Sequence, residues 1–425
     1  MTGTNTEPGT AGSHRDAEDP AGRDQRARDL RRALVDQLRT HQMIVSPAVE
    51  AAFLTVERER FLPAGTDLEV AYGVDNSVVT KRDEHGTAIS SVSAAYIQAR
   101  MLEQADLRPG TRVWEIGSGG VNAALIAEIV GEHGRVVSMD IDAEVTDRAT
   151  ALLHANGYGD RVRVLAADAE HGVPGEDVFD AIIVTVGAWD ISPAWLRQLA
   201  PDGVLVLPLI MNGVTRTAGF RRDGDRLVST SLEVAGFVAM QGAGRHQERV
   251  FTLTDPHGKH LNLAFDTAAP QDPGRLDGVL ATEPVAVWSA VTFPHGTSWA
   301  DLYLWFAWFL PGFCRVTADQ DGVVGQGGQW FPFGAVHDRG FAYLVIRPDA
   351  HTAGVEFGAR GYGQDAELAA AGLVEQVRAW NRDGRDTSPV FSYWPTGSAA
   401  VPPPADGAVM AKTHGLLTIS WPSTR

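Results

Sequence analysis

Between Val113 and Pro208 short apolar runs alternate with stretches of helical periodicity, and no other feature restricts the fold of this chain so strongly. Residues 112–116, 135–140, 162–166, 181–186 and 204–208 read as strands. Several are apolar nearly throughout, as strands are when both faces of a sheet are covered. Residues 123–130, 143–155 and 194–199 fit helices between them. The alternation implies a doubly wound, mostly parallel sheet with right-handed crossovers, an α/β architecture.

Upstream, Leu30, Leu34 and Leu38 stand at helical spacing, and a second helix is expected from Pro47 to Val56. Residues 1–27 hold almost nothing to bury, so a disordered tail is expected there. After about Gly244 the alternation stops. At 425 residues the chain exceeds what one core supports, and the last stretch reads as a second, α+β domain. Its expected helices are 299–310 and 365–380 and its expected strands 341–347 and 354–360. The expected division is therefore a tail (1–27), a doubly wound domain (28–245) and an accessory domain (246–425). Trp299, Trp305, Trp308, Trp330 and Trp394 of the last part read as core rather than as a binding face.

Thirty-six basic and 53 acidic residues leave a formal charge of −17, which repels polyanions, so neither nucleic acid nor an anionic membrane is an expected partner. The single cysteine, Cys314, excludes an internal disulfide and lies in an apolar run, where a buried inert thiol is expected. No metal site is expected: His257 and His260 stand together without further ligands nearby. The first residues carry no apolar signal core, and Met1-Thr2-Gly3 is not a myristoylation start, so a cytoplasmic location is expected.

The first strand runs into a glycine turn, Glu115-Ile116-Gly117-Ser118-Gly119-Gly120, and then a helix. Glycine there permits positive φ and close approach of a ligand, at the strand edge where open α/β sheets bind. Asp140 ends the next strand, where a carboxylate can accept both hydroxyls of a ribose. Asp168 follows the third, placed to accept from an adenine amine or, as an isolated Asp, to cap a turn. A nicotinamide dehydrogenase shares this layout, but its G-x-G-x-x-G spacing places a small residue where this chain has Asn122. A sulfonium nucleoside has no phosphate, so the strand-end carboxylate Glu115 is tolerable beside it.

These residues resemble the protein L-isoaspartyl (D-aspartyl) O-methyltransferases. Val56-Glu57-Arg58-Glu59-Arg60-Phe61-Leu62-Pro63 is similar to the family's V-P-R-x-x-F-V-P stretch, and Ser91-Val92-Ser93 to its T-I-S segment. Phe179 to Thr185, Leu196 to Gly203, and Phe237-Val238-Ala239-Met240 resemble its later strand, its Q-L-x-x-G-G turn and its F-V-P-L strand. The resemblance spans about residues 31–245 and implies a Rossmann-like class I methyltransferase using S-adenosyl-L-methionine and releasing S-adenosyl-L-homocysteine. By that carry-over, Glu115, Gly117, Ser118, Gly119, Asp140, Ile141, Asp168 and Ala169 would hold the cofactor. Ser93 would be the catalytic residue beside the transferred methyl, with Ser91, Val92 and Val238 binding a peptide or protein substrate that bears Asp or isoaspartate. The residues alone also allow Ser93 to be a helix N-cap before Ala94.

Two departures carry weight. The glycine turn is one residue shorter than the family's G-x-G-S-G-Y, and about 180 residues follow where the family ends. Both resemble the branch associated with ribosomally made, modified peptides such as lanthipeptides and graspetides. The main expectation from that branch is esterification of an Asp side chain in a constrained peptide, leading to aminosuccinimide. The alternative is repair-type methylation of isoaspartate. From other classes, a scaffold that binds cofactor without catalysis and a nucleotide-binding oxidoreductase fit less of the pattern.

Overall fold

The computed structural model describes residues 20–176, 178–267, 269–324, 329–349, 353–398 and 407–422. It divides into two compact units, Met1–Leu209 with Arg216–Arg245, and Ile210–Thr215 with His246–Arg425.

The first unit opens with helices α1 (Pro20–Thr40), α2 (Pro47–Thr55) and the single turn α3 (Leu68–Ala71). An antiparallel hairpin, β1 (Val78–Arg82) and β2 (Ala88–Val92), and helix α4 (Ala95–Ala105) follow. The sheet is then laid down as β3 (Arg112–Ile116), α5 (Val121–Val130), β4 (Arg135–Asp140), α6 (Ala143–Ala155), β5 (Val162–Ala166) and β6 (Phe179–Val184). It is completed by α7 (Pro193–Gln198), β7 (Leu199–Met211), β8 (Val214–Asp223) and β9 (Arg226–Val234). Within this unit the strand order is β9-β8-β7-β6-β3-β4-β5. β5, β4, β3, β6 and β7 run parallel, while β8 and β9 pair antiparallel.

The order reverses direction at β3, so β3, β4 and β6 leave a crevice at their C-terminal ends, the place where doubly wound sheets bind ligands. Burial explains the run of apolar residues in α5: every residue but Glu128 is buried, because this helix is covered on more than its sheet-facing side. Trp114 and Trp195 are fully buried in the same unit.

Helix α1 starts ten residues before the Leu30 periodicity, inside the stretch expected to be disordered. The buried stripe continues upstream only as Ala27, and Arg31 on the same helix is buried through polar contacts rather than apolar ones. Arg31 is buried and donates to the Tyr72 hydroxyl at 3.2 Å, and Arg26 pairs with Glu69. The remainder of the expected tail, residues 1–19, lies outside the described residues.

The second unit holds a seven-stranded antiparallel sheet formed by β10 (Arg249–Thr254), β11 (His260–Phe265), β12 (Val285–Pro294), β13 (Phe313–Ala318), β14 (Trp330–His337), β15 (Gly340–Pro348) and β16 (Gly354–Gly363). Its order is β10-β11-β13-β14-β15-β16-β12. Helix α8 (Ala300–Phe309) precedes β13, and α9 (Ala366–Ala379) packs on β12, β15 and β16. Strands β17 (Val390–Pro395), β18 (Gly407–Ala411) and β19 (Gly415–Ser420) pair antiparallel around β19. Of the tryptophans expected in this core only Trp305 is buried; Trp299, Trp308, Trp330 and Trp394 are half-buried, and the deepest positions belong to Tyr343, Tyr393, Phe306, Phe341 and Phe357. No helix among the described residues is long and apolar enough to cross a membrane.

Cys314 is 1% exposed in β13, and burial pushes its thiol pKa well above the ordinary range. A thiolate-selective disulfide reagent is therefore expected to leave the native protein untouched and to titrate one thiol per chain after denaturation. Immediate reaction of the native protein would refute that burial.

Candidate functional site

Two cavities open at the C-terminal ends of the parallel strands, on either side of Gly117. The glycine carries φ +95°, and a Cβ on it would stand 2.4 Å from Thr185 Oγ1, so only glycine fits. Gly120 carries φ +86°, and a Cβ there would meet the Phe61 ring at 3.2 Å. Phe61 belongs to the short 3-10 turn Arg58–Phe61, which brings the N-terminal motif against the glycine turn. Thr185, at the end of β6, donates its hydroxyl towards the carbonyls of Ile116 (3.1 Å) and Gly117 (3.0 Å), bracing the turn from the other side.

The first cavity is lined by Gly117, Asp140, Ile141, Asp168 and Ala169, with Ile89, Ile116, Met139, Val186 and Met240 among its apolar walls. Asp140 accepts from the Ser118 amide at 3.0 Å and from the Asp142 amide at 3.0 Å. Burial holds its pKa above the usual carboxylate value, although both amide bonds pull it down. Asp168 accepts from the amides of Glu170 (2.9 Å) and Ala243 (2.8 Å), so it caps the 3-10 turn Ala169–His171 and also ties residues 242–244 over the cavity. Each carboxylate oxygen keeps a second lone-pair direction for a ligand.

The arrangement discriminates between nucleotides. The Gly117 amide goes to Met139 O at 2.8 Å and the Ser118 amide to Asp140, so neither is offered to a phosphate, and a carboxylate stands beside them. A pyrophosphate would meet an anion rather than a nest of amides. An uncharged or cationic nucleoside fits: two acceptors at the strand ends, apolar walls between.

The second cavity is lined by Ser91, Val92, Ser93, Gln98, Asn122, Thr185 and Phe237, together with Gly117 and Gly119. Ser93 does not cap α4. The helix begins at Ala95 with Ala94 as its N-cap residue and no side-chain cap bond. One residue of extra strand-like backbone separates Ser93 from the helix, and its hydroxyl makes no hydrogen bond to any described residue. Its carbonyl accepts from Arg58 Nη2 at 2.6 Å.

Three expected site residues line neither cavity. One is Ser118, buried in the turn with its amide on Asp140 and its Oγ 2.9 Å from Ser138 Oγ, and Gly119 lines the second cavity rather than the first. Glu115 lines neither cavity: it is fully buried beneath the turn, where Asn122 Nδ2 donates to it at 2.8 Å and Ser138 Oγ donates to its other oxygen. It alternates with Trp114 and Ile116 across a strand covered on both faces, so its side chain points into the protein rather than towards the crevice. Val238 also lines neither cavity. Its carbonyl accepts from Gly187 N at 2.8 Å, and the expected 237–240 strand is a single bridge between Ala239 and Gly187. Its neighbours Phe237, Ala239 and Met240 reach the cavities instead. Arg58, Gln98, Asn122 and Thr185, to which the sequence assigned no role, surround the site, and no periodicity marks them. A cleft of about 530 Å³ at the opposite, N-terminal edge of the sheet, lined by Arg112, Arg135, Arg161 and Glu176, contains none of these groups.

A family model described as Protein-L-isoaspartate(D-aspartate) O-methyltransferase (PCMT) matches residues 29–244, half of the chain. The chain belongs to this family. The protein-L-isoaspartate O-methyltransferase of Methanopyrus kandleri is 37% identical over 183 residues, covering 43% of this chain and 77% of that protein. That of Hyperthermus butylicus is 36% identical over 196 residues, covering 43% and 76%. A solved structure named protein-L-isoaspartate O-methyltransferase is 25% identical, covers 55% of this chain and 84% of its own, and superposes with a TM-score of 0.47. The family match ends at the boundary between the first unit and residues 246–425.

Burial drives the Glu115 pKa up to about 7, outweighing the bonds from Ser138 and Asn122 that lower it. A carboxyl with a native pKa above its unfolded value binds its proton more tightly when folded. The native state therefore loses stability as pH rises from the ordinary carboxylate range towards 7. Glu115→Gln, neutral at every pH, is expected to gain in melting temperature relative to the parent between pH 5 and pH 8, by the equivalent of about 3 kcal/mol at most. A pH-independent difference between the two melting curves would contradict the raised pKa.

Proposed function

We propose that this chain is an S-adenosylmethionine-dependent O-methyltransferase that esterifies the carboxylate of isoaspartyl residues in proteins or peptides. The carrying observation is the pair of cavities that meet at Gly117, one bearing Asp140 and Asp168 and the other Ser93 with an unbonded hydroxyl. S-adenosylmethionine, when bound, supplies a methyl group on a sulfonium. Asp140 would take the ribose hydroxyls and Asp168 the adenine amine, with Ile141 and Ala169 against the base and Gly117, Ser118 and Gly119 along the turn.

The acceptor needs no general base. A carboxylate of unperturbed pKa about 3.9 is ionised at neutral pH, so the protein's task is to position it. Holding two reactants at attack geometry is worth about 7–11 kcal/mol. The Ser93 hydroxyl would donate to one carboxylate oxygen and leave the other for attack, while Ser91 and Val92 shape the same wall. Val92 and Met101, with Phe237, keep that cavity apolar enough to thin the water around the nucleophile.

A narrower reading has its own support in residues 246–425, which extend past the family match: the acceptor is an Asp side chain in one constrained, ribosomally made peptide, and the ester goes on to aminosuccinimide. Mass spectrometry of the full chain with S-adenosylmethionine separates the two. The expected result is a mass gain of one CH2 on a synthetic isoaspartyl peptide and none on its aspartyl twin. Gain only on a macrocyclic aspartyl peptide, followed by loss of methanol, would replace the first reading with the second. Asp140→Ala is expected to weaken S-adenosylhomocysteine binding by about ten- to a hundredfold, from the loss of charged hydrogen bonds each worth about 1.5–3 kcal/mol. Ser93→Ala is expected to lower kcat while calorimetry finds the same affinity for that product.

A further inference from the structure

Six buried polar side chains run without interruption from the Ser93 segment to the cofactor turn. Arg58, 4% exposed, has no carboxylate partner; its three nitrogens donate to the carbonyls of Ala71 (2.8 Å) and Ser93 (2.6 Å) and to Gln98 Oε1. Gln98 Nε2 donates to Asn122 Oδ1 at 3.4 Å, and Asn122 Nδ2 to Glu115 Oε1 at 2.8 Å. Glu115 Oε2 accepts from Ser138 Oγ, which stands 2.9 Å from Ser118 Oγ, and the Ser118 amide donates to Asp140.

The direction of this chain is fixed by its ends. A guanidinium can only donate, so Gln98 must turn its oxygen to Arg58 and its NH2 to Asn122, and Asn122 must then turn its NH2 to Glu115. The amide dipoles align from the cation to the carboxylate, and in the low dielectric of a buried site such aligned bonds reinforce one another. Gln98 and Asn122 also line the Ser93 cavity.

We propose that Arg58, Gln98 and Asn122 are positioning residues for methyl transfer, a directional hydrogen-bond relay that holds the acceptor loop at a fixed offset from the cofactor turn. The inference rests on the methyltransferase reading above. It assigns Glu115 to the end of the relay rather than to the cofactor. Along the backbone, Ser93 and Gly117 are joined only through α4 and β3, and the relay ties them directly across the core. A misplacement of about 1 Å between reacting groups lowers the rate by about a hundredfold, so such a tie bears on kcat.

The test separates positioning from mere stabilisation by reversing the relay. Gln98→Glu keeps an acceptor on Arg58 and forms an ion pair with it, but it cannot donate to Asn122. Asn122 then turns its NH2 to residue 98 and its oxygen against the Glu115 carboxylate, which breaks the chain. Adding Glu115→Gln supplies a donor to that oxygen and restores continuity in the opposite sense. Each full-length variant would be assayed for methyl transfer to a synthetic isoaspartyl peptide, for S-adenosylhomocysteine affinity by calorimetry, and for amide hydrogen exchange of residues 91–95 without ligand.

The expected outcome for Gln98→Glu is a kcat at least tenfold lower, product affinity within about threefold of the parent, and faster exchange in 91–95. The double variant is expected to recover kcat to within about threefold, together with the slow exchange. Asn122→Ala, which cannot be rescued by Glu115→Gln, serves as the irreversible break. A kcat for Gln98→Glu and Asn122→Ala within twofold of the parent overturns the relay, and so does a double variant no better than Gln98→Glu. A parent chain that methylates no peptide removes the functional reading itself, and this inference with it.

Discussion

Gly117 is where the two halves of the site share a wall, and its backbone conformation is what the arrangement depends on. The Gly117 amide continues the β3–β4 ladder to Met139 O, and φ at +95° then turns the chain sharply enough for the next amide to fall on Asp140. That bond orients the carboxylate along the crevice rather than into the turn. Thr185 occupies the space a side chain at position 117 would need, and Phe61 presses on Gly120, so β6 and the N-terminal motif both bear on one turn. The same contacts that exclude a pyrophosphate are those that leave room for a nucleoside.

Three carboxylates near this turn have three different environments. Asp140 and Asp168 accept backbone amides at the ends of strands and keep lone pairs open to the crevice. Glu115, one residue before the end of β3, points the other way and is fully buried. Its charge is balanced at a distance by Arg58, which burial pulls down to about 10, leaving it cationic at neutral pH. Neither ion has a direct partner of opposite sign. Two amides carry the interaction between them, each accepting through its oxygen from one neighbour and donating through its nitrogen to the next. A buried polar chain in which each member is satisfied avoids the penalty of an orphaned group, and it admits one arrangement instead of many.

The crevice was legible in the sequence because its determinants are local. A carboxylate at a strand end, a glycine turn before a helix and a three-residue Ser-Val-Ser segment can each be read within a few residues, and Asp140, Asp168 and Ser93 stand where those patterns put them. Glu115 faces away from the crevice because strand alternation, not position in the motif, decides which face a residue takes, and its partners Asn122 and Ser138 sit on other elements, 7 and 23 residues away. The start of α1 was missed for a related reason: Arg31 is buried by hydrogen bonding to Tyr72, 41 residues on, which no hydrophobic pattern announces. In the second unit α8, α9, β15 and β16 carry periodic signals, whereas β10, β11 and β13 are short strands: β10 and β11 form a hairpin, and β13 is fixed by β11 through pairs such as Leu261 with Ala318, distant in the chain.

Methyl transfer to a carboxylate explains why the core beneath this site is polar where an apolar one would pack as well. The nucleophile arrives ionised, so no acid or base has to be supplied, and what remains for the protein is geometry. Apolar side chains at positions 98 and 122 would fill the same volume, but packed hydrocarbon tolerates small shifts of register, whereas hydrogen bonds fail within a few tenths of an ångström and through modest angles. Glu115 adds a second property. Ser138 Oγ lies within donating reach of both Glu115 Oε2 and Ser118 Oγ but has one hydroxyl proton, and while Glu115 is ionised that proton goes to Oε2. Once Glu115 is protonated, below about pH 7, the carboxyl can donate to Ser138, whose own proton then goes to Ser118 Oγ. The amide of Ser118 stays on Asp140 in either state, so the proton order beneath the turn can change while the backbone that faces the cofactor crevice holds its place.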